Sequence, residues 1–483
     1  MKICLVATFP PSARQLNEYA FYIARELQRN PEISLTILAD ELTDYEFATD
    51  ENGKPLNVQQ QKELPGFDVI RCWKFNSLKT PVRLLNTIRK LKPDVVWFNL
   101  VFSSFGTPEY PIAAFSGLLT PALTRAFGHY THITLHHILE HVDFATAGVR
   151  QKRLFSLGGN IATRALLKAN SVSVLLSGYR HTLVEKYAAE NVLLGTHGTF
   201  APSPSLPDFT IRGNPEHRIL AIGHWGTYKR LETLIEAFPA VLKKVPNARL
   251  IIGGANHHTK PKYWESIRES LRPGSRIEFR GYIPEEDIPD LFRTSTVVVM
   301  PYDSATGSSG PAHQACEFGV PIVCADLADF RDMAADEDMA VSFYEVGNAA
   351  DLADKVIAIL QSPEQQRRMA EHNFSAAMQM TMSSVVRNYL RWFELKRVKK
   401  AIGPAPLFPG LRAFWQGYVS PDADVSPGGW SVRSDFLAEG RRKHSEGHGS
   451  AEESSHSVVH ADAHDRRRSE IMDDQPELAD DRE

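Results

Sequence analysis

Short apolar runs rich in β-branched residues alternate with helical stripes over most of the chain. Runs at 3–7, 35–38, 69–72, 95–98, 133–135 and 171–176 read as strands, while Leu16, Tyr19, Ile23 and Leu27 recur at helical spacing after the first run. A second series follows at 218–222, 249–253, 277–279, 296–300 and 321–324. Near-continuous apolar strands must be buried on both faces, so the pattern predicts an α/β protein with two parallel sheets, each covered by helices on both sides. Between the two series the chain turns to Pro, Ser, Gly and Asn, with Pro202, Pro204, Pro207 and Pro215, which are the signals of a linker.

This pattern predicts an N-terminal domain over 1–200, a linker over 201–216 and a C-terminal domain over 217–380. Helical periodicity from 363 to 400 is long enough for its last part, 381–400, to cross back to the first domain. From 401 to 483 apolar residues thin out in favour of Ser, Gly, His and charged residues, which predicts a largely disordered tail. Two doubly wound domains imply a cleft, with ligands held beyond the carboxyl ends of the strands.

Composition narrows the function. Residues 401–483 carry 9 Lys and Arg against 16 Asp and Glu, so the rest of the chain is only slightly basic and has no nucleic-acid footprint. Cys4, Cys72, Cys316 and Cys324 show no paired spacing for a disulfide framework or a metal site, which fits a reducing, cytoplasmic setting. The start of the chain reads as a strand, being too short in its apolar run for a signal peptide. No run offers the roughly 20 apolar residues of a membrane helix; the nearest, 110–123, contains Pro111 and Pro121.

Three loops following strands carry candidate chemistry. In 306–323, Gly307, Ser308, Ser309 and Gly310 form a small-residue loop opening a helix, and its amides are suited to an anion. Lys229 stands between a strand end at Gly223 and the next helix, where the helix dipole disfavours a cation unless an anion lies opposite; a solvated surface lysine is the alternative. Gly281, followed by Tyr282 and Ile283, permits close backbone approach at another strand end, or is a plain turn, and Glu285 and Glu286 after it suit the first turn of a helix.

Taken in order, these loops resemble the family four retaining glycosyltransferases, whose fold is GT-B, two Rossmann-like domains facing a cleft. The resemblance runs over about the first 400 residues and rests on Gly223, Lys229-Arg230 and Leu234-Ile235-Glu236-Ala237, then Phe279-Arg-Gly281-Tyr-Ile283, Val297-Val-Val-Met-Pro301 and Glu317-Phe-Gly319-Val-Pro321-Ile-Val323. Ile133-Thr-Leu-His136-His137 looks like the family's strand end whose His faces the reacting sugar, and Thr196-His197-Gly198 resembles the element before its linker.

The resemblance implies transfer of a hexosyl unit, with retention, from a nucleoside-diphosphate sugar to a hydroxyl acceptor in polysaccharide or glycolipid synthesis. His136 and Lys229 would be catalytic, with His224, Lys229, Ser308, Ser309 and Gly310 on the donor diphosphate. Thr306, Gly307 and Gln314 would hold the donor sugar or ribose, Gly281, Tyr282 and Ile283 the base side, and Arg14 and Gln15 the acceptor side. His197 would have a positional role. No cofactor and no metal are expected, since Lys229 and a helix N-terminus can take the place of a metal. The resemblance leaves peripheral membrane contact open, through apolar loops such as 98–115, against the alternative that this segment is buried.

Three departures mark the site. The family's paired glutamates align with Thr306 and Gln314, so neutral hydrogen bonding must replace two carboxylates. Glu317, one helical turn past Gln314, is then expected at the surface or behind the site. A His, His224, stands where the family has the basic partner of its lysine, and Arg14 and Gln15 stand where it has Gly-Gly, which suggests that Arg14 restores the lost charge or grips an anionic acceptor. Lost carboxylates also admit a catalytically silent sugar-nucleotide-binding protein, and a GT-B-like epimerase would turn over without an acceptor. A Rossmann dehydrogenase is disfavoured, because no Gly-x-Gly-x-x-Gly follows the first strand.

Overall fold

The computed structural model describes residues 1–12, 14–42, 64–107, 109–142, 152–200, 217–226, 228–257, 262–272, 274–304 and 307–402, with residues 206, 207, 209 and 260. Most of the expected linker and nearly all of the expected tail lie outside them. The first sheet contains β1 (Lys2–Val6), β2 (Ser34–Asp40), β3 (Val69–Trp73), β4 (Val95–Leu100), β5 (Tyr130–Leu135), β6 (Ser171–Val174) and β7 (Val192–Leu194). Its strands run parallel in the order β3-β2-β1-β4-β5-β6-β7. The second contains β8 (Arg218–Ile222), β9 (Arg249–Gly253), β10 (Ile277–Gly281), β11 (Val297–Met300), β12 (Ile322–Ala325) and β13 (Val341–Tyr344), parallel in the order β10-β9-β8-β11-β12-β13.

Both sheets reverse their winding beside the first strand, between β1 and β4 and between β8 and β11. A crevice opens at such a reversal because the connections on either side leave in opposite directions. The loops after β1, β4, β8 and β11 are thereby brought to the places where a ligand can sit.

The two-sheet α/β class follows the alternating sequence pattern, and the differences have local causes. Sequence signals predict neither β7 nor β13, which are edge strands of three and four residues, too short to show a period. β5 starts three residues before the apolar run because Thr131 and His132, polar in sequence, are fully buried. His132 lies under Phe393, with ring centroids 5.1 Å apart, and its Nδ1 is 2.8 Å from Ser171 Oγ.

Phe393 belongs to the helix Met382–Ile402, which is distinct from the helix Pro363–Gln379 where one continuous helix was expected. The break has a cause: the Met380 carbonyl accepts the Thr199 amide at 2.8 Å, and Thr381 Oγ1 accepts the Ser384 amide at 3.2 Å. The chain is pinned there before the last helix lies against the first sheet. Trp97 packs on Tyr389 and Phe393, and Tyr389 Oη donates to Ser173 Oγ at 2.9 Å. Truncating a buried ring such as Phe393 costs about 3–5 kcal/mol, so this helix is integral to the N-terminal core.

Candidate active site

On the N-terminal side the strand ends supply a histidine and its support. His136 follows β5; its amide donates to the Leu100 carbonyl at 3.0 Å, and its Nε2 lies 2.7 Å from Asn99 Oδ1 at the end of β4. With Asn99 Oδ1 accepting, Nε2 carries the proton and Nδ1 is left as an acceptor. Tyr19, on the helix Asn17–Gln28, meets the imidazole edge-on with centroids 4.5 Å apart. Burial holds His136 well below the ordinary histidine pKa, with His197 and His137 adding to the effect, so the ring is neutral. Asn99 Nδ2 is buried with no hydrogen-bond partner among the described residues.

On the C-terminal side a cation sits without a carboxylate. The stem of Lys229 crosses Gly223 at the end of β8, where a Cβ would lie 3.3 Å from Lys229 Cδ. Its ammonium is 5.1 Å from the centroid of Tyr302, after β11. The two loops are tied together by backbone bonds, since Lys229 bridges Tyr302 and the Asp303 amide donates to the Tyr228 carbonyl at 2.9 Å. Burial opposes the charge on Lys229, but Tyr302 and Tyr228 outweigh it and hold the ammonium above the usual lysine value. No carboxylate among the described residues pairs with it. Neighbouring Gly254 has φ +100° and must be glycine, because a Cβ there would stand 2.0 Å from the Gly223 carbonyl oxygen.

The loop before the helix Gly310–Glu317 lies against His136. At Gly307, φ is +90° and a Cβ would fall 2.5 Å from the His136 carbonyl oxygen, so only glycine allows the two sides of the cleft to meet this closely. Ser308 Oγ is buried with no hydrogen-bond partner among the described residues, and the buried Tyr302 hydroxyl has the Lys229 ammonium beside it. Polar atoms in such places are normally satisfied, so a buried hydroxyl left over here is a candidate to meet a polar ligand. Ser309 Oγ donates to Met300 Sδ at 3.2 Å, so it is Ser308 whose hydroxyl is available.

Closure is held by carboxylates that sequence reasoning missed. Asp329, on the helix Ala328–Asp336, accepts from Tyr179 Oη at 2.6 Å and from the Gly307 amide at 2.9 Å, and pairs with His141 Nδ1 at 3.0 Å. One buried side chain thus joins the N-terminal domain to the small-residue loop. From the same helix Asp332 and Asp336 accept the amides of Gly178 and Ser177 at 3.1 and 2.7 Å, capping the helix Ser177–Tyr187 where its dipole favours an anion. His313 Nε2 pairs with Glu337 at 2.6 Å, and Glu337 also accepts the His197 amide at 2.9 Å. The His197 ring stacks on His313 with centroids 4.2 Å apart. Against the cost of burial, Glu337 holds His313 above its usual pKa, whereas burial and the neighbouring His313 push His197 down to about 3. None of these pairs has a short-range sequence signal, since the partners lie on different elements.

The remaining expected positions are placed as follows. His224 is exposed after β8. Gln314 is half-buried on the helix after the small-residue loop, and Thr306 lies outside the described residues. Gly281, at φ +63°, carries β10 into an exposed Tyr282 and into Ile283, which packs on Gly253. Gln15 is exposed, with its Oε1 accepting from Ser103 Oγ at 3.3 Å. Glu317, expected at the surface or behind the site, is buried and accepts the Phe200 amide at 3.0 Å, which fixes the start of the linker. Arg14, expected to restore the charge lost at His224 or to grip an anionic acceptor, pairs with buried Asp40 at 3.6 Å and lies 3.7 Å over the Phe75 ring. Of the apolar segment 98–115, Phe98, Phe102 and Phe105 are buried, whereas Tyr110 and Ile112 are exposed.

Residues 208–375 match the family described as glycosyl transferases group 1. The O-antigen chain mannosyltransferase B of Escherichia coli is 26% identical over 128 residues, which are 26% of this chain and 33% of that protein. The chain spans between about a fifth and just under two thirds of the length of the first curated relatives it matches. Sucrose-phosphate synthase from Thermosynechococcus elongatus superposes with a TM-score of 0.60 at 15% identity, covering 82% of this chain and 99% of that one. HepE of Anabaena, in complex with UDP and glucose, does so with a TM-score of 0.56 at 14% identity and the same coverage. At such identities the likeness carries the GT-B fold alone.

Proposed function

Since the chain belongs, through residues 208–375, to the group 1 glycosyltransferases, we propose that it moves a hexosyl unit from a nucleoside-diphosphate sugar to a hydroxyl acceptor, with retained configuration and no metal. The observation that carries this reading is Lys229, a cation without a carboxylate partner among the described residues, beside the ring of Tyr302, together with the buried Ser308 hydroxyl that has no partner there and neutral His136 against the same small-residue loop. The bond between the anomeric carbon and the diphosphate oxygen breaks, and negative charge grows on the leaving group. Lys229 and the amides of Ser308, Ser309 and Gly310, ahead of a helix N-terminus, are fixed in advance where that charge develops.

The acceptor oxygen attacks from the face the diphosphate leaves, and its proton passes to the departing phosphate. His136, neutral and with Nδ1 accepting, orients a sugar hydroxyl rather than contributing charge. Gln314, with Gly307 and Thr306, holds sugar or ribose hydroxyls, and the loop of Gly281, Tyr282 and Ile283 faces the base. Arg14 and Gln15 belong to the acceptor side, Arg14 by shaping its loop. HepE, with UDP and glucose bound on the same fold, favours a nucleoside-diphosphate sugar as donor.

Cytoplasmic polysaccharide or glycolipid synthesis is the setting this chemistry fits. A sugar-nucleotide-binding protein without turnover is the second reading, favoured by the amide at Gln314. Incubating the protein with a panel of nucleotide sugars and glycan acceptors, with and without a chelator, and following the product anomer by NMR tests both. Retained product unaffected by chelation is expected. Binding without transfer or hydrolysis would support the second reading, and an inverted product would overturn the first.

A further inference from the structure

Outside the cleft, the N-terminal domain carries an apolar surface with a basic rim. Helices Pro111–Leu118, Thr120–Ala126 and Lys152–Leu166 lie side by side. Phe115 and Phe155 meet with centroids 5.1 Å apart, and Gly158 takes the Phe115 ring so closely that a Cβ would lie 2.6 Å from it. With those rings turned inward, Ile112, Leu119, Leu123 and Phe127 remain exposed beside Leu157 and Ile161; Ile112 is 74% exposed and Leu157 58%. Six large apolar side chains on adjoining helices are more than the scattered exposure of an ordinary surface.

The charges around them are mainly basic, Glu190 being the acid that shares their groove. On the outward face of Lys152–Leu166 and just past it, Arg153, Leu157, Ile161, Arg164 and Lys168 follow one another at helical spacing, all exposed. Arg125, Arg164 and Lys168 line one groove of about 520 Å³, and the Arg89 guanidinium lies 5.6 Å from the Phe127 centroid. Between 110 and 170 the acids are Glu140 and Asp143, against six Lys and Arg, although the whole chain is net negative. Glu140 is already bound by Lys186 at 2.9 Å.

We propose that this face docks on a bilayer containing anionic phospholipids, the apolar side chains entering the interface while the basic rim meets the headgroups. Arg and Lys can lay their stems along the apolar patch and keep their charges at headgroup level. Weak apolar insertion and electrostatic attraction each suffice poorly alone and bind together, and both are present here. A second copy of the chain is the less suitable occupant, because a two-fold pairing of this face sets its basic rim against itself.

The inference stands apart from the transferase reading, because UDP binding in solution is expected whether or not the face docks. Flotation of the full chain with vesicles tests it. Binding is expected to phosphatidylcholine vesicles containing phosphatidylglycerol, to weaken with added salt, and to be absent for phosphatidylcholine alone. Arg164→Glu with Lys168→Glu should lower vesicle affinity about tenfold or more, and Leu157→Ser with Ile161→Ser should abolish insertion. Both variants should keep the wild-type melting curve and UDP affinity. Equal binding to both vesicle types, binding to neither, or wild-type affinity in both variants would overturn the proposal. So would a dimer in solution that the Leu157 and Ile161 pair of changes dissolves.

Discussion

The loops after β1 and β8 hold the same topological place in their sheets, and each presents a basic residue, yet the two charges have different environments. Arg14 is spoken for: it pairs with buried Asp40, which also faces Arg71 at 3.8 Å and accepts from Ser12 Oγ at 2.6 Å. Arg71 in turn donates to the Pro10 carbonyl at 2.8 Å, so this network shapes the first loop. Lys229 has no such carboxylate among the described residues and lies instead beside the ring of Tyr302, while the Ser308 hydroxyl has no partner there. Position at a strand end is therefore weak evidence for ligand binding, and the state of the surrounding polar groups is what makes Lys229 rather than Arg14 the candidate.

The contrast is sharpest in turnover. Lys229→Ala should lower kcat/KM by about 100-fold or more, as expected for loss of a preorganised cation at a leaving group, with little change in melting temperature. His136→Ala should reduce turnover about as steeply as other lost positioning groups, by about 100-fold, while UDP still binds. Asp40→Ala should do the reverse of Lys229→Ala, costing about 3 kcal/mol of stability by leaving two largely buried guanidinium groups without their carboxylate. Chemical denaturation would measure that cost, and UDP affinity in the surviving folded protein should stay near wild type.

The last of these tests is the dependence of stability on pH. Burial depresses His132 and His197 to about 3 and His137 to about 4, and lowers His136 as well. A histidine neutral in the fold but free to protonate when unfolded adds stability that is fully present above its unfolded value of about 6.5, and that is lost as pH falls toward the folded values. His141 and His313 run the other way, each raised by a carboxylate, so their contributions are present below the unfolded value and fade as pH rises through the folded one. With more histidines on the depressed side, melting temperature should drop between about pH 6.5 and 4; a flat profile there would place water around those rings.

Much of the fold was legible because strands buried on both faces write continuous apolar runs into the sequence, and helices write a stripe such as Leu16, Tyr19, Ile23 and Leu27. The edge strands Val192–Leu194 and Val341–Tyr344 escaped because a period needs length. In the candidate site, the strand-end placement of Lys229, His136 and the small-residue loop was legible from the loops that follow strands. Their supports were not: Asn99 meets His136 across 37 positions and Asp329 meets Tyr179 across 150, and contacts at such separations leave no local pattern. For Glu317 the sequence left surface and interior both open, and the Phe200 amide 117 positions away decides for burial.

The most direct measurement is UDP affinity by titration calorimetry for the wild type, Lys229→Ala and Arg14→Ala. The account predicts that Arg14→Ala binds UDP like the wild type and that Lys229→Ala loses about tenfold or more, the scale of one charge-assisted contact to phosphate. Undiminished binding in Lys229→Ala, or a loss confined to Arg14→Ala, would contradict it.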